Sequence, residues 1–269
     1  MIIIGEKING AIPSIRQAIA ARDADLIRER TVAQAQAGAD FLDCAPSTAP
    51  DVEYDTMNWL IDIMQEASDV PLCIDSPNAS LLKRILEEGR IRKPGMVNSV
   101  NEDGTKCETI FPVIAGTDWQ VIGLTCDQDG IPTNCEKKIE IAKRIIDKAD
   151  HYGVKRSNLH IDPCLMALAT MPGAMKDFEQ CIRGIHEYAP EVKVTGAVSN
   201  ISFDMPARKY INANCMAYAM SAGLDSAIID PCNVDMRSTI FACEALLMKD
   251  KGGRKYNRAY RQSKVGIKK

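Results

Sequence analysis

Short apolar runs alternate with longer stretches of helical period along the whole 269-residue chain. The runs are Ile2–Gly5, Phe41–Cys44, Leu72–Asp75, Met96–Val100, Gln120–Thr125, Leu159–Asp162, Lys193–Val198 and Ala227–Asp230. They are continuous rather than alternating in polarity, as expected of parallel strands covered on both faces. Between them lie amphipathic segments at Ile15–Ala37, Val52–Ala67, Ala79–Glu88, Lys106–Ala115, Glu136–Tyr152, Gly173–Tyr188, Pro206–Ala222 and Arg237–Met248. Ala37-Gly38 and Ala222-Gly223 read as helix ends closed by glycine just before the next strand. Ser76-Pro77 and Asp162-Pro163 read as strand exits. Eight such units, with no long linker or break in composition, predict an α/β fold: a single (β/α)8 TIM barrel. A doubly wound open sheet is the competing architecture, but neither G-x-G-x-x-G nor G-x-x-x-x-G-K-[ST] occurs in the chain.

Composition narrows the class. Aromatic residues make up only 5% of the chain, so a core must be assembled mainly from Ile, Val, Leu, Ala and Met. No apolar run approaches the length of a membrane-spanning helix, and MIIIGEKING has the pattern of a strand with a charged end rather than of a signal peptide. Ten cysteines without an export signal point to a reducing, cytoplasmic setting. They form no Cys-x-x-Cys pair, and His151, His160 and His186 are scattered, so no metal site is expected. The net charge of −3 is uneven: from Lys249 onward there are nine Lys/Arg and one acid, against 24 basic and 35 acidic residues before it. Residues 1–248 are therefore read as the barrel domain and 249–269 as a basic C-terminal tail, frayed or packed on the surface. An acidic body without a basic groove carrying aromatic residues argues against nucleic acid.

In a barrel of this kind the C-terminal ends of the strands face the active site. Those ends supply Glu6, Asn9, Asp43, Asp75, Asn98, Ser99, Asn101, Asp127, Asp162, Ser199, Asn200, Asp230 and Asn233. Any one of them alone is equally a helix cap or turn residue. Together they form a ring of carboxylates and amides without the lysine, histidine, paired cysteine or metal cluster that covalent or metal-assisted catalysis uses. Such a ring suits a flat, nitrogen-rich heterocycle, because carboxylates accept paired N–H donors and amides meet carbonyl and ring nitrogens. TGAVSNISFDMPAR (Thr195 to Arg208) is the stretch where these features meet. It reads as a strand ending at Ser199-Asn200, a loop, and a helix starting near Met205-Pro206.

GEKING at the start, LCIDS at Asp75, VNSVN at Asn98, Val121–Thr125 followed by Gly130 to Pro132, HIDPCL at Asp162, VSNIS at Asn200 and GLDSAIID at Asp230 occur in that order. This series resembles the methyltetrahydrofolate:corrinoid protein methyltransferases, a group of the pterin-binding barrels, and runs from Met1 to about Met248. The resemblance implies methyl transfer, in either direction, between N5 of tetrahydrofolate and the cobalt of a corrinoid such as cobalamin. It implies that Asp75, Asn98 and Asp162 hold the pterin ring and that Asn200 hydrogen-bonds N5. Gly196 to Ser199 would form the strand end beneath the pterin, Arg208 would lie near the mouth, Glu6 and Asp43 would support the site, and Asp230 would belong to its outer ring. Tetrahydrofolate or 5-methyltetrahydrofolate would be the small-molecule substrate. The chain has no D-x-H-x-x-G motif, so the corrinoid would arrive on a separate corrinoid protein or free; a homodimer is also implied. Ala45-Pro46 and Phe203 depart from the family pattern, Phe203 where a glutamine is expected, on the corrinoid-facing side. The competing readings are a dihydropteroate-synthase-like condensing enzyme and a non-catalytic pterin- or corrinoid-binding subunit.

Overall fold

The computed structural model describes residues 1–266; Ile267, Lys268 and Lys269 of the basic tail lie outside the described residues. Among the described residues eight parallel strands form one sheet: β1 (Ile2–Gly5), β2 (Phe41–Cys44), β3 (Leu72–Asp75), β4 (Met96–Glu102), β5 (Gln120–Asp127), β6 (Leu159–Asp162), β7 (Lys193–Val194) and β8 (Ser226–Ile229). Their order, β7-β6-β5-β4-β3-β2-β1-β8, is the chain order wrapped around a cylinder. The seam between β7 and β8 is closed by an Ala197–Ile228 bridge, with Ile228 N donating to the Gly196 carbonyl at 3.1 Å. The predicted barrel is therefore the observed one.

Among the described residues ten α-helices accompany the strands: α1 (Pro13–Ala21), α2 (Ala24–Ala37), α3 (Pro50–Ala67), α4 (Ala79–Glu87), α5 (Lys106–Ile114), α6 (Cys135–Tyr152), α7 (Ala174–Tyr188), α8 (Arg208–Ala222), α9 (Val234–Leu246) and α10 (Arg254–Arg261). The predicted helix Ile15–Ala37 divides in two. Arg22 adopts a left-handed conformation and Asp23 caps α2 by accepting from Leu26 N. A helical period continues through a tight turn if the turn keeps the same face buried, so the sequence pattern does not register the break. The basic tail contributes α10, which packs on α9. Asp250 accepts from Lys255 N and Tyr256 N at the start of α10, and Ala259 and Val265 are buried.

Strand parity places the site. Side chains alternate across a strand, and Ile4, Phe41, Cys73, Met96 and Ile122 form an apolar cluster inside the barrel. The outward-facing set belongs to the larger core between sheet and helices. Two residues beyond the inner cluster, the same parity delivers Glu6, Asp43, Asp75, Asn98, Leu124 and Asp162 to the C-terminal end of the barrel. One sequence rule thus builds an apolar plug below and a polar floor above it.

The seventh strand corrects the reading of Lys193–Val198 as extended throughout. Ladder pairing stops at Val194, and Val198–Ser202 winds into a 3-10 turn. The close approach of Phe178 on α7 explains part of this: a Cβ on Gly196 would lie 2.7 Å from the Phe178 ring. Gly196 thus packs outward against α7, and only its backbone belongs to the barrel wall. Gly196→Ala is expected to lower stability by about 1–3 kcal/mol through overpacking, read as a reduced urea midpoint with an unchanged slope.

Candidate active site

A cavity of about 970 Å³ opens at the C-terminal ends of the strands. Glu6, Asp43, Asp75, Asn98, Asp162, Ser199, Asn200, Phe203 and Arg208 all line it. Gly196 does not, for the packing reason given above. Asp127, read as part of the ring, turns away and pairs with Arg144 at 3.2 Å. The ring is also not free of lysine. Lys7, Lys106 and Lys209 reach the wall from the residue after Glu6 and from the first turns of α5 and α8. Strand-end reasoning passes over these positions because they lie on loops and helix starts.

The polar groups of the cavity divide into those already engaged and those left open. Asp230 accepts from Cys232 N and pairs with Lys7 at 3.2 Å. Asn233 caps α9 through Met236 N. Asn101 donates to the Cys126 thiol and accepts from Asp103 N. By contrast, the side chains of Asp75, Asn98 and Asn200 have no hydrogen-bond partner among the described residues, although Asn98 is only 8% exposed. One Asp43 oxygen is buried without a partner. Buried polar groups are normally satisfied, so a set of open ones converging on one cavity is what a polar ligand would complete.

Arg208, the first residue of α8, does more than mark the mouth. Its guanidinium donates to the Ser199 carbonyl and to Ser202 Oγ, both at 2.8 Å, and stacks 4.9 Å from the Phe203 ring. Arg208 thereby pins the 3-10 turn that carries Asn200. The expected helix start at Met205-Pro206 falls two residues early, because Ala207 enters α8 in a left-handed conformation. Phe203 is half exposed at the rim. Ala45 and Pro46 lie outside the cavity wall, Ala45 buried and bridged to Asn9.

Burial sets the protonation of the floor. It pushes Glu6 up to about 7, with Lys7 opposing. It pushes Asp75 up to about 7 as well, helped by the charge of Glu53, which is itself buried and accepts from Ser76 Oγ at 2.6 Å. Burial, then the neighbouring Asp75, holds Asp43 well above the usual carboxylate range. Across the cavity, burial pushes Asp162 up only to about 6, because the Cys164 N–H and then Lys138 favour its charged form. Asp43 therefore keeps its proton at neutral pH, Glu6 and Asp75 titrate close to it, and Asp162 across the cavity is the most acidic of the four.

This arrangement has a consequence for stability. A carboxyl whose folded pKa is raised adds stability at low pH and loses it as pH rises through the folded value. Buried, neutral His160, held down to about 3, acts in the opposite sense, but only up to its ordinary value near 6.5. Between pH 6.5 and 8 Cys126, held down to about 7 chiefly by the Cys164 thiol, also opposes the carboxyls. Glu6, Asp43 and Asp75 together outweigh it, and the melting temperature is expected to fall by a few degrees, at about 1.4 kcal/mol per pKa unit and 2–4 °C per kcal/mol. Calorimetry at both pH values checks this, and Asp75→Asn should flatten the slope.

Residues 8–230 match the pterin-binding enzyme family. The chain is 45% identical over 268 residues to the methylcorrinoid:tetrahydrofolate methyltransferase of Eubacterium limosum, covering 99% of this chain and 98% of that protein. It is 32% identical over 245 residues to the methionine synthase of Mycobacterium tuberculosis, covering 85% of this chain but 20% of that longer protein. Among solved structures, a Yersinia pestis dihydropteroate synthase with a pterine–sulfa conjugate superposes with a TM-score of 0.63 at 15% identity, over 92% of this chain and 94% of that one. At that identity the likeness concerns the fold.

Proposed function

The chain belongs to the pterin-binding enzyme family, and from that premise we propose that it transfers a methyl group between a corrinoid and N5 of tetrahydrofolate. The observation that carries the proposal is the set of open side chains, Asp75, Asn98 and Asn200, in one cavity with the charged Asp162 opposite. A pterin offers an amino-pyrimidine edge and ring N–H groups to carboxylates, and ring carbonyl and nitrogen to an amide. The donor set fits it. The near relation to a methylcorrinoid:tetrahydrofolate methyltransferase, over almost the whole of both chains, supports the same reaction, and we write it in the direction of that relative's name.

In that direction N5 is a secondary amine whose lone pair forms the new bond to the methyl carbon. The bond between carbon and cobalt breaks, and both of its electrons stay with the metal. N5 then carries a positive charge and a proton. Asn200, a neutral amide fixed by the turn under Arg208, accepts the N5–H through its carbonyl oxygen as this charge develops. The proton passes to solvent, leaving the tertiary amine. A neutral acceptor strengthens with the developing charge without trapping the substrate in a prior ion pair, which is the requirement for lowering a barrier. Asp75 and Asp162 hold the ring from opposite sides, and Asn98 lies between them on β4.

The corrinoid is a substrate in this reading, brought free or by a separate corrinoid protein. Exposed Phe203, backed by Arg208, forms part of the rim it would approach. We extend the reading to a homodimer on family grounds alone. The test mixes the protein with methylcob(III)alamin and tetrahydrofolate and follows cobalamin absorbance. Demethylation coupled to 5-methyltetrahydrofolate formation is expected. Tight pterin binding without it would favour a binding subunit.

A further inference from the structure

The buried stripe of α6 runs through Cys135, Lys138, Ile141, Ile145 and Ala149. Lys138 is out of character there. Its side chain is 1% exposed, and a long apolar residue would fill the same volume without removing a charge from water. The ammonium is compensated by two contacts from different elements. It lies 2.7 Å from Asp177 Oδ2 in the first turn of α7 and 3.4 Å from the carbonyl oxygen of Cys164, in the turn that follows β6. Cys164 sits in the left-handed region with φ 53°, a conformation that needs external support in a residue with a side chain. From that conformation its N–H donates to Asp162 Oδ1 at 2.7 Å. A continuous path thus runs from the ammonium to the Cys164 carbonyl, through the same residue to its N–H, and on to a carboxylate of the cavity. The second Asp162 oxygen has no partner among the described residues.

We infer that Lys138 is a positioning residue for the site: it braces the Cys164 turn in the shape that fixes Asp162, and its charge keeps that side chain an acceptor for ligand N–H groups. The identity of the ligand rests on the pterin reading above; the action of Lys138 on Asp162 does not. The groups facing Asp162 are Lys138 from α6 with its partner Asp177 from α7, the Cys126 thiol at the end of β5, the Cys164 thiol of its own turn, and Asp75 across the cavity. Lys7, Lys106, Lys209 and Arg208 line the same cavity, but Lys138 is the one cation among the causes of the Asp162 shift. The proton-holding carboxyls Asp43 and Asp75, on β2 and β3, have no cation among the causes of their shifts.

The test uses the whole protein with aspartate labelled by carbon-13 at Cγ, the Asp162 signal being identified by its loss in Asp162→Asn. In the unsubstituted protein the signal is expected to titrate with a midpoint of about 6. In Lys138→Met the midpoint should rise by roughly one pH unit or more, and in Lys138→Arg, which restores the charge, it should stay near its original value. If Lys138→Met fails to fold because Asp177 is left buried and unpaired, the double variant Lys138→Met/Asp177→Leu removes the pair together and should shift the midpoint in the same direction. Calorimetric titration with tetrahydrofolate provides the second readout. Affinity of the methionine variant should fall roughly twofold or more at pH 7 and recover by pH 9, where Asp162 is charged in either protein. A midpoint unmoved in both variants, or a loss of affinity equal at every pH, would overturn the inference and leave Lys138 a fold element. A shifted midpoint in a protein that binds no tetrahydrofolate would sustain it and sink the pterin reading instead.

Discussion

Replacing Asn200 by alanine is expected to slow methyl transfer by about 10²–10³-fold while tetrahydrofolate binding changes little. The magnitude is that of one preorganised hydrogen bond directed at developing charge, about 2.7–4 kcal/mol. The asymmetry is the informative part. An interaction that strengthens as N5 becomes cationic stabilises the transition state more than the bound substrate, so single-turnover rate falls far more than affinity does. The geometry makes the substitution clean. The Asn200 side chain has no partner among the described residues, and its turn is held by Arg208 through Ser199 and Ser202, so alanine removes the amide without releasing the backbone. Rapid-mixing measurement of cobalamin absorbance, alongside calorimetric titration with tetrahydrofolate, checks both halves. Equal losses in rate and affinity would mean that Asn200 binds the ground state and has no special role in the reaction.

Asp75→Ala is expected to act in the opposite way, weakening tetrahydrofolate binding roughly 10- to 150-fold, the worth of a charge-assisted hydrogen bond of about 1.5–3 kcal/mol. The same substitution should raise the stability of the free protein. Asp75 is half-buried beside Glu53 and Asp43, with no cation among the causes of its shift, and its charge is one of the causes that hold Asp43 far above its ordinary range. Removing it relieves repulsion in a low-dielectric floor. Higher melting temperature with lower affinity is the expected pair of results, a local exchange of stability for binding. Unchanged affinity would place the pterin elsewhere in the cavity.

The barrel and most of its polar ring were legible in the sequence because both follow from local rules. A parallel strand covered on two faces needs a continuous apolar run, and its C-terminal end, where the run stops, is where a polar side chain costs least. Glu6, Asp43, Asp75 and Asn98 follow from that rule at a parity set by the apolar residues two positions before them, and Asp162 shares the parity although buried His160 stands two positions before it. Asn200 is a harder case. The sequence marks a strand exit there, but the ladder ends at Val194 and the amide is carried by a 3-10 turn. Glycine at 196 gives no sign that Phe178, eighteen positions earlier in the chain, lies against it. Asp127 is also a strand-end carboxylate, but it stands an odd number of positions from inward-facing Ile122 and Leu124, so the alternation turns it out of the barrel, where Arg144 pairs with it.

By itself, then, the sequence determined the architecture, the end of the barrel at which the cavity opens, and the carboxylate and amide character of that end. These depend on period, strand length and residue type along a contiguous stretch. Only the tertiary structure decided which of those groups stay open to a ligand, which hold protons at neutral pH, and that Lys7, Lys106 and Lys209 join the wall. It alone decided that a lysine in the apolar stripe of α6 reaches, through Asp177 and the Cys164 turn, toward Asp162. Burial and charge pairing are sums over neighbours distant in the chain, and those neighbours exist only once the barrel has closed.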